Sequence, residues 1–192
     1  MNTLTDINLS APFNKVHKGK VRDTFMYQDK RILIVSDRQS AFDMNVGAVP
    51  FKGQVLNQVS KWWFEQTADI VPNHVIAVPD PNVMIVKSAK MFPVEVVVRG
   101  YITGSTGTSA WVNYSQGVRN FCGNQLPEGL KKNQQLDHVI ITPTTKPEVG
   151  HDLPISAQEI IEQGLVPAEK WQKITQYALA LYQRGVELAA KQ

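Results

Sequence analysis

The strongest constraint on this chain is the shortness and spacing of its apolar, β-branched runs. Segments near 16–27, 31–35, 75–78, 83–86, 94–102 and 139–141 read as strands, and turn-forming residues separate them. Sheet is therefore expected to dominate the first two-thirds. Apolar runs such as 32–35 and 96–98 fall far short of the roughly 20 residues that a helix needs to cross a bilayer. No membrane span is expected. The opening MNTLTDINLS carries Asp6 and lacks a basic start followed by an apolar stretch, so it does not read as a secretion signal, and a cytoplasmic location follows.

Helical periodicity appears in two places. Within 54–64, Val55, Val59, Trp62 and Trp63 form one apolar stripe, which predicts a helix packed on the sheet through that stripe. Near the end, Ser156 and Glu159 form a capping-box pattern, Ile155 and Ile160 are spaced as its hydrophobic staple, and Gly164 is a stop. Pro167 then opens a longer helix with Trp171, Ile174, Ala178, Leu181 and Leu188 on one face. Prolines and glycines at 79–81, 123–129 and 143–150 mark loops. A boundary near 79–82 would divide a β-rich unit, 1–80, from a mixed unit, 81–192.

With 43% hydrophobic and 19% charged residues over 192 positions, the chain can bury a core. The net charge is +3, with cations interspersed among acids, which suits small anionic ligands better than a nucleic-acid track. Lys61-Trp62-Trp63 is the candidate for the interleaved cations and aromatics of a base-stacking surface, and its helical spacing favours packing. Cys122 is the sole cysteine, expected as a buried, unreactive thiol, and the four histidines lack metal-site spacing.

Four segments carry candidate chemistry. In MFPVEVVVRGYITGS, strand alternation places Glu95, Val97 and Arg99 on one face and Val94, Val96 and Val98 on the other. At about 3.3 Å per residue, Glu95 and Arg99 lie about 13 Å apart, as two ends of a site. Thr103-Gly104-Ser105 follows, a turn open to an anion. By itself the pattern reads more readily as a half-exposed strand whose turn caps a helix through Ser105 or Thr106. Lys18, Lys20 and Arg22 alternate with Gly19 and Val21, so one extended strand would present three cations to a polyphosphate or, equally, form a charged edge. Ser36-Asp37-Arg38-Gln39-Ser40-Ala41-Phe42-Asp43 is a polar group at a strand end, which composition alone reads as a solvated turn, and the loop from Thr142 through Lys146 to His151 and Asp152 could close over an acidic substrate or equally be a surface loop. Neither a Walker P-loop nor a dinucleotide-type glycine turn occurs.

Taken together, KGKVRD, VSDRQSAFD, FKGQVLNQVSKWW, MFPVEVVVRGYITGS, TPTTKPEVGHD and the helix after Pro167 resemble, in order, the SAICAR synthases. The P-x-E-x-x-x-R-x-x-x-T-G-S core from Pro93 to Ser105 matches that family's first signature. The resemblance implies an α+β fold with a kinase-like, β-rich ATP-binding lobe and a mixed α/β lobe. It also implies an ATP-dependent ligase of purine biosynthesis that joins L-aspartate to carboxyaminoimidazole ribonucleotide (CAIR).

By the same resemblance, Gly19, Lys20, Arg22 and Met91 would bind ATP, and Glu95 would hold Mg2+. Asp37, Arg38, Ser40, Arg99, Ser105, Lys146 and Asp152 would bind substrate, Arg99 and Ser105 through the ribose 5-phosphate. The expected partners are these small molecules, with neither nucleic acid nor membrane. The family's D-x-K-x-E-F-G motif, which follows the last helix and supplies a metal-binding aspartate, does not occur in this sequence. A non-catalytic relative that binds nucleotide or phosphoribosyl ligand is therefore the alternative. An apolar patch left by that missing part would favour a homo-oligomer.

Overall fold

A computed structural model describes residues 3–41, 44–147 and 150–191. Phe42, Asp43, Glu148 and Val149, parts of two candidate segments, lie outside the described residues. The chain divides into two compact units, Met1–Lys90 and Met91–Gln192.

The first unit holds β1 (Asn14–Lys18), β2 (Arg22–Tyr27), β3 (Lys30–Val35), β4 (Arg38–Ala41), β5 (Met44–Ala48), α1 (Lys52–Gln66), β6 (Val75–Asp80) and β7 (Val83–Lys87). Five strands form an antiparallel sheet in the order β1-β2-β3-β7-β6, and β4 and β5 form a separate hairpin. Register lines up Phe25, Ile32 and Ile85 across three strands, on the face that carries Ile34 and Val83. Leu4, Ile7 and Phe13 from the N-terminal segment pack with them into one core. The expected boundary at 79–82 falls in the turn between β6 and β7, whose antiparallel pairing keeps both strands in one unit.

Two expectations fail here for physical reasons. The run 16–27 is not one strand: β1 and β2 pair antiparallel and the chain reverses at Gly19-Lys20-Val21. The Gly19 N–H donates to the Arg22 carbonyl at 2.8 Å, closing a turn that strand alternation cannot reveal. Lys18, Lys20 and Arg22 therefore mark a hairpin end rather than one flat face. Helix α1 forms as expected, but its buried side carries Gly53 and Asn57. Val55 and Val59 follow two positions later, about 200° around the helix, and are exposed together with Trp62 and Trp63. What docks α1 is polar: the Gly53 N–H donates to Asp37 Oδ1 at 2.9 Å and Asn57 Nδ2 donates to the Pro81 carbonyl at 2.9 Å.

The second unit holds β8 (Val94–Glu95), β9 (Val98–Tyr101), α2 (Ala110–Ser115), β10 (Asn120–Phe121), β11 (Asn124–Gln125), β12 (Gln135–Ile141), β13 (Thr144–Thr145), α3 (Ala157–Glu162) and α4 (Ala168–Ala189). The expected strand 94–102 is split into β8 and β9, pairing with β13 and β12. Its partners nevertheless keep one register: Val98 faces Ile141, Glu95 faces Thr144, and the Thr142 N–H donates to the Val97 carbonyl between them. Between the two halves Pro143 faces the other way, its carbonyl accepting from the Ile155 N–H at 3.1 Å.

Ile102, Ala110, Tyr114, Phe121, Leu126 and Leu136 form one core, and Ile155, Ile160, Val166 and Trp171 form another against Val94 and Val96. The capping box at Ser156 and Glu159 is present. At the far end of α3 the Gly164 N–H donates to the Ile161 carbonyl and the Leu165 N–H to the Ile160 carbonyl, both at 3.0 Å. Those bonds form a Schellman stop, with Gly164 at φ 66°. The α+β expectation is met. Among the described residues no helix is long and apolar enough to cross a membrane.

Candidate functional site

The candidate residues fall into two groups, one in each unit. In the first unit the group surrounds the Gly19 turn. A Cβ on Gly19 would crowd the Arg22 carbonyl oxygen, so the close reversal needs glycine there. Lys18, Gly19, Lys20, Arg38, Ser40 and Asn45 line a cavity of about 340 Å³ on one side. Gly19, Lys20 and Arg22, with Thr24, Val35 and Leu56 among others, line one of about 400 Å³ on another. Gly19, Lys20, Arg22, Arg38 and Ser40 are thus brought together.

Beneath the turn sits a buried ion cluster. Asp23 is fully buried; its Oδ1 accepts from Arg38 at 2.5 Å and its Oδ2 from Lys15 Nζ at 3.0 Å. Burial alone would raise the Asp23 pKa, but the hydrogen bonds from Lys15 and Arg38 outweigh it and hold the carboxyl below its ordinary range. Arg38 also donates to the Lys20, Thr5 and Gly19 carbonyls. Asp37 is also buried, accepting from the Leu4 and Gly53 N–H groups. Two residues expected as substrate contacts are therefore bonded mainly within the chain, because a charged side chain this deep must find its partners in the protein. Asp23 was not singled out from the sequence; the signal available was a lone acid following three alternating cations.

In the second unit the site is a charged row on the β8–β9 strand and its partner. Antiparallel register places Glu95 opposite Thr144 and Arg99 opposite Ile140. Diagonal neighbours then meet, as same-face residues do: Arg99 Nε donates to Thr142 Oγ1 at 2.8 Å, and Lys146 Nζ lies 3.3 Å from Glu95 Oε2. Lys146 Nζ also lies 2.6 Å from Asp152 Oδ2, drawing the following segment in. Hydrogen bonds to Asp152 and then Glu95 raise the Lys146 pKa, and burial lowers that of Arg99. Alternation had placed Glu95 and Arg99 on one face; Thr142, which fixes the guanidinium, was named only as part of a loop.

Ser105 and Met91 stand apart from this row. Ser105 is exposed, and the hydroxyl that caps α2 belongs to Ser109, not to Ser105 or Thr106. Gly104 has φ 109°, and a Cβ on it would strike the Ser109 side chain. Met91 is exposed.

Among the described residues no group of three or more histidines, cysteines or acids could hold a metal ion by itself. Glu95 and Asp152 share one ammonium, so the pair presents carboxylate oxygens where a cation is already accommodated. That donor set fits Mg2+, which takes one or two protein carboxylates and completes its shell with water and phosphate. Cys122 is half-buried and burial pushes its thiol up to about 11, in keeping with an unreactive group. It lines a separate cavity of about 790 Å³ whose polar walls are spent on the chain itself: Asn113 and Asn124 donate to backbone carbonyls, and Glu159 accepts from Ser156.

Comparison with known proteins bears on both groups. A family model described as SAICAR synthetase matches residues 15–192. A phosphoribosylaminoimidazole-succinocarboxamide synthase of Legionella pneumophila is 58% identical over 180 residues, which cover 94% of this chain and 57% of that protein. The chloroplastic synthase of Arabidopsis thaliana is 49% identical over 193 residues, 99% of this chain and 47% of that one. The chain thus spans about half the length of such relatives. The Saccharomyces cerevisiae SAICAR synthase, solved complexed with SAICAR, superposes with a TM-score of 0.81 at 29% identity, covering 94% of this chain and 64% of that one. A family match over nearly the whole length, joined to close relatives, settles kinship: the chain belongs to the SAICAR synthetase family.

Proposed function

We propose that this chain carries the nucleotide- and substrate-binding groups of an ATP-dependent carbon–nitrogen ligase that joins L-aspartate to CAIR, giving SAICAR, ADP and phosphate. The observation that carries the reading is the single register that aligns Glu95, Arg99, Thr142 and Lys146 on one face. Such a row offers two cations to anionic substrates and carboxylate oxygens to a metal. A carboxylate is a poor electrophile at neutral pH. An oxygen of the CAIR carboxylate therefore attacks the γ-phosphorus of ATP, the bond to ADP breaks, and the resulting acyl phosphate has a leaving group. The aspartate amine then attacks the acyl carbon, phosphate departs, and the amine gives up a proton as the amide forms. Gathering three anionic reactants makes electrostatic positioning the dominant demand on the protein.

In this reading Gly19, Lys20, Arg22 and Met91 receive ATP. Arg99 and Ser105 take the ribose 5-phosphate. Asp37, Ser40, Lys146 and Asp152 serve CAIR or aspartate, and Glu95 holds Mg2+, which neutralises phosphate charge when bound. The setting is cytoplasmic, and the exposed apolar side of α1 favours self-association. Support comes from the kinship with named synthases and from the relative solved with SAICAR. Phosphate release by the purified chain with MgATP, L-aspartate and CAIR, omitting each in turn, tests it. Release that needs all three is expected; release with ATP alone would overturn the ligase reading. Binding of ATP and CAIR without any release would favour the non-catalytic alternative.

A further inference from the structure

The Gly19 turn is held from one side by a single short segment. Arg38 Nε donates to the Lys20 carbonyl at 3.1 Å and a second guanidinium nitrogen to the Gly19 carbonyl at 3.0 Å. The Val21 carbonyl accepts from both the N–H and the hydroxyl of Ser36, at 2.9 and 2.8 Å. The fourth carbonyl, Arg22, accepts from the Gly19 N–H. All four turn carbonyls are therefore engaged.

Peptide planarity gives this a directional consequence. In a trans peptide the N–H points opposite to the preceding C=O. With the Gly19 and Lys20 carbonyls drawn to the guanidinium, the N–H groups of Lys20 and Val21 face away from it. Successive N–H groups turned the same way form an anion-binding concavity. The guanidinium that enforces this is buried and neutralised by Asp23, so it is placed to hold the turn rather than to meet solvent.

We infer that Arg38 is a positioning residue: with Asp23 as its counter-ion and Ser36 beside it, it fixes the turn so that the Lys20 and Val21 N–H groups face the phosphates of ATP. This rests on the reading of the turn as the ATP site. It reassigns Arg38 from contacting substrate to acting through the backbone of the residues that do. A lysine cannot replace it, because one ammonium lacks the planar fork that reaches two successive carbonyls and a carboxylate at once.

The test compares MgATP and adenosine binding by calorimetry for the 192-residue chain and its Arg38→Lys variant. ATP binding is expected to weaken by about tenfold or more, the effect of losing a hydrogen bond or two. Adenosine, which has no phosphate, should bind as before, and amide exchange at 20–21 should quicken. Equal affinity for ATP in both proteins, or a parallel loss of ATP and adenosine, would overturn the inference. Failure of the unsubstituted chain to bind ATP would remove the ATP reading itself, and is seen before any variant is made. If Arg38→Lys does not fold, Ser36→Ala removes only the hydroxyl that holds the Val21 carbonyl. A loss of about threefold for ATP alone is then expected, and unchanged ATP binding would sink the idea.

Discussion

The two groups of candidate residues are built on opposite plans. Around the Gly19 turn the charges lie underneath: Asp23 and Arg38 are buried, bonded to each other, and grip the backbone that faces the cavity. Along the β8–β9 strand the charges lie on top: Lys146 and Glu95 are more than half exposed and hold one another across a ladder that would form without them. A buried ion pair makes the site depend on the fold and the fold on the site. An exposed row separates the two, because water stands ready to replace each partner. Loss of a charge should therefore damage stability in the first unit and function in the second.

Asp23→Ala probes the comparison most severely. It leaves the Arg38 guanidinium buried without a counter-ion, which typically costs about 3–5 kcal/mol. Hydrogen exchange should show lost protection in β2 and β3 and little change in β9 and β12. Equal loss in both units would break the contrast. The same pair should respond to acid. Because the folded-state pKa of Asp23 lies below its unfolded value of 3.8, the pair's contribution is fully present above that value and is lost as pH falls through the folded pKa. Denaturant midpoints of the first unit, followed from pH 7 downward, should drop below about pH 4. In Asp23→Asn that segment of the profile should flatten.

Gly53→Ala sets two effects of opposite sign against each other. Helix propensity alone would favour alanine by about 1 kcal/mol. A Cβ there, however, would collide with the Val35 carbonyl oxygen and sit 2.6 Å from Asn82 Nδ2. Those two groups are themselves bonded at 2.7 Å, so neither yields cheaply. Overpacking of this kind costs about 1–3 kcal/mol, and a lower denaturant midpoint is expected. A midpoint that rises would mean that α1 docks more loosely than its hydrogen bonds indicate.

These contrasts also show what the sequence made legible. Strand alternation placed Glu95 and Arg99 on one face, and local end signals located α3 and its stop, because such patterns depend on near neighbours alone. The burial of Asp23 and Arg38 was hidden: fifteen residues separate the partners, and nothing local distinguishes a buried arginine from a solvated one. The α1 face was misread because an apolar stripe outweighs one glycine and one asparagine in any periodicity count. Helix α2, six residues long, is too short to establish a period. The split of the β8–β9 strand was hidden as well, because it lies in the pairing with β12 and β13 and not in the strand's own residues.

Lys146→Met is the mildest change to the fold and the sharpest test of the second plan. The ammonium is exposed and bridges Glu95 and Asp152, so its removal should move the melting temperature by less than about 2 °C, as exposed pairs do. Methionine keeps an unbranched side chain of similar length and removes only the ammonium. Phosphate release dependent on CAIR and aspartate should nevertheless fall steeply, and CAIR or aspartate binding should weaken with ATP binding unchanged. A large melting shift would show that the row supports the fold after all, placing Lys146 beside Asp23 rather than opposite it. A variant that keeps both stability and substrate binding would leave Arg99 and Thr142 as the functional part of the row and reduce the Glu95–Lys146–Asp152 bridge to surface chemistry.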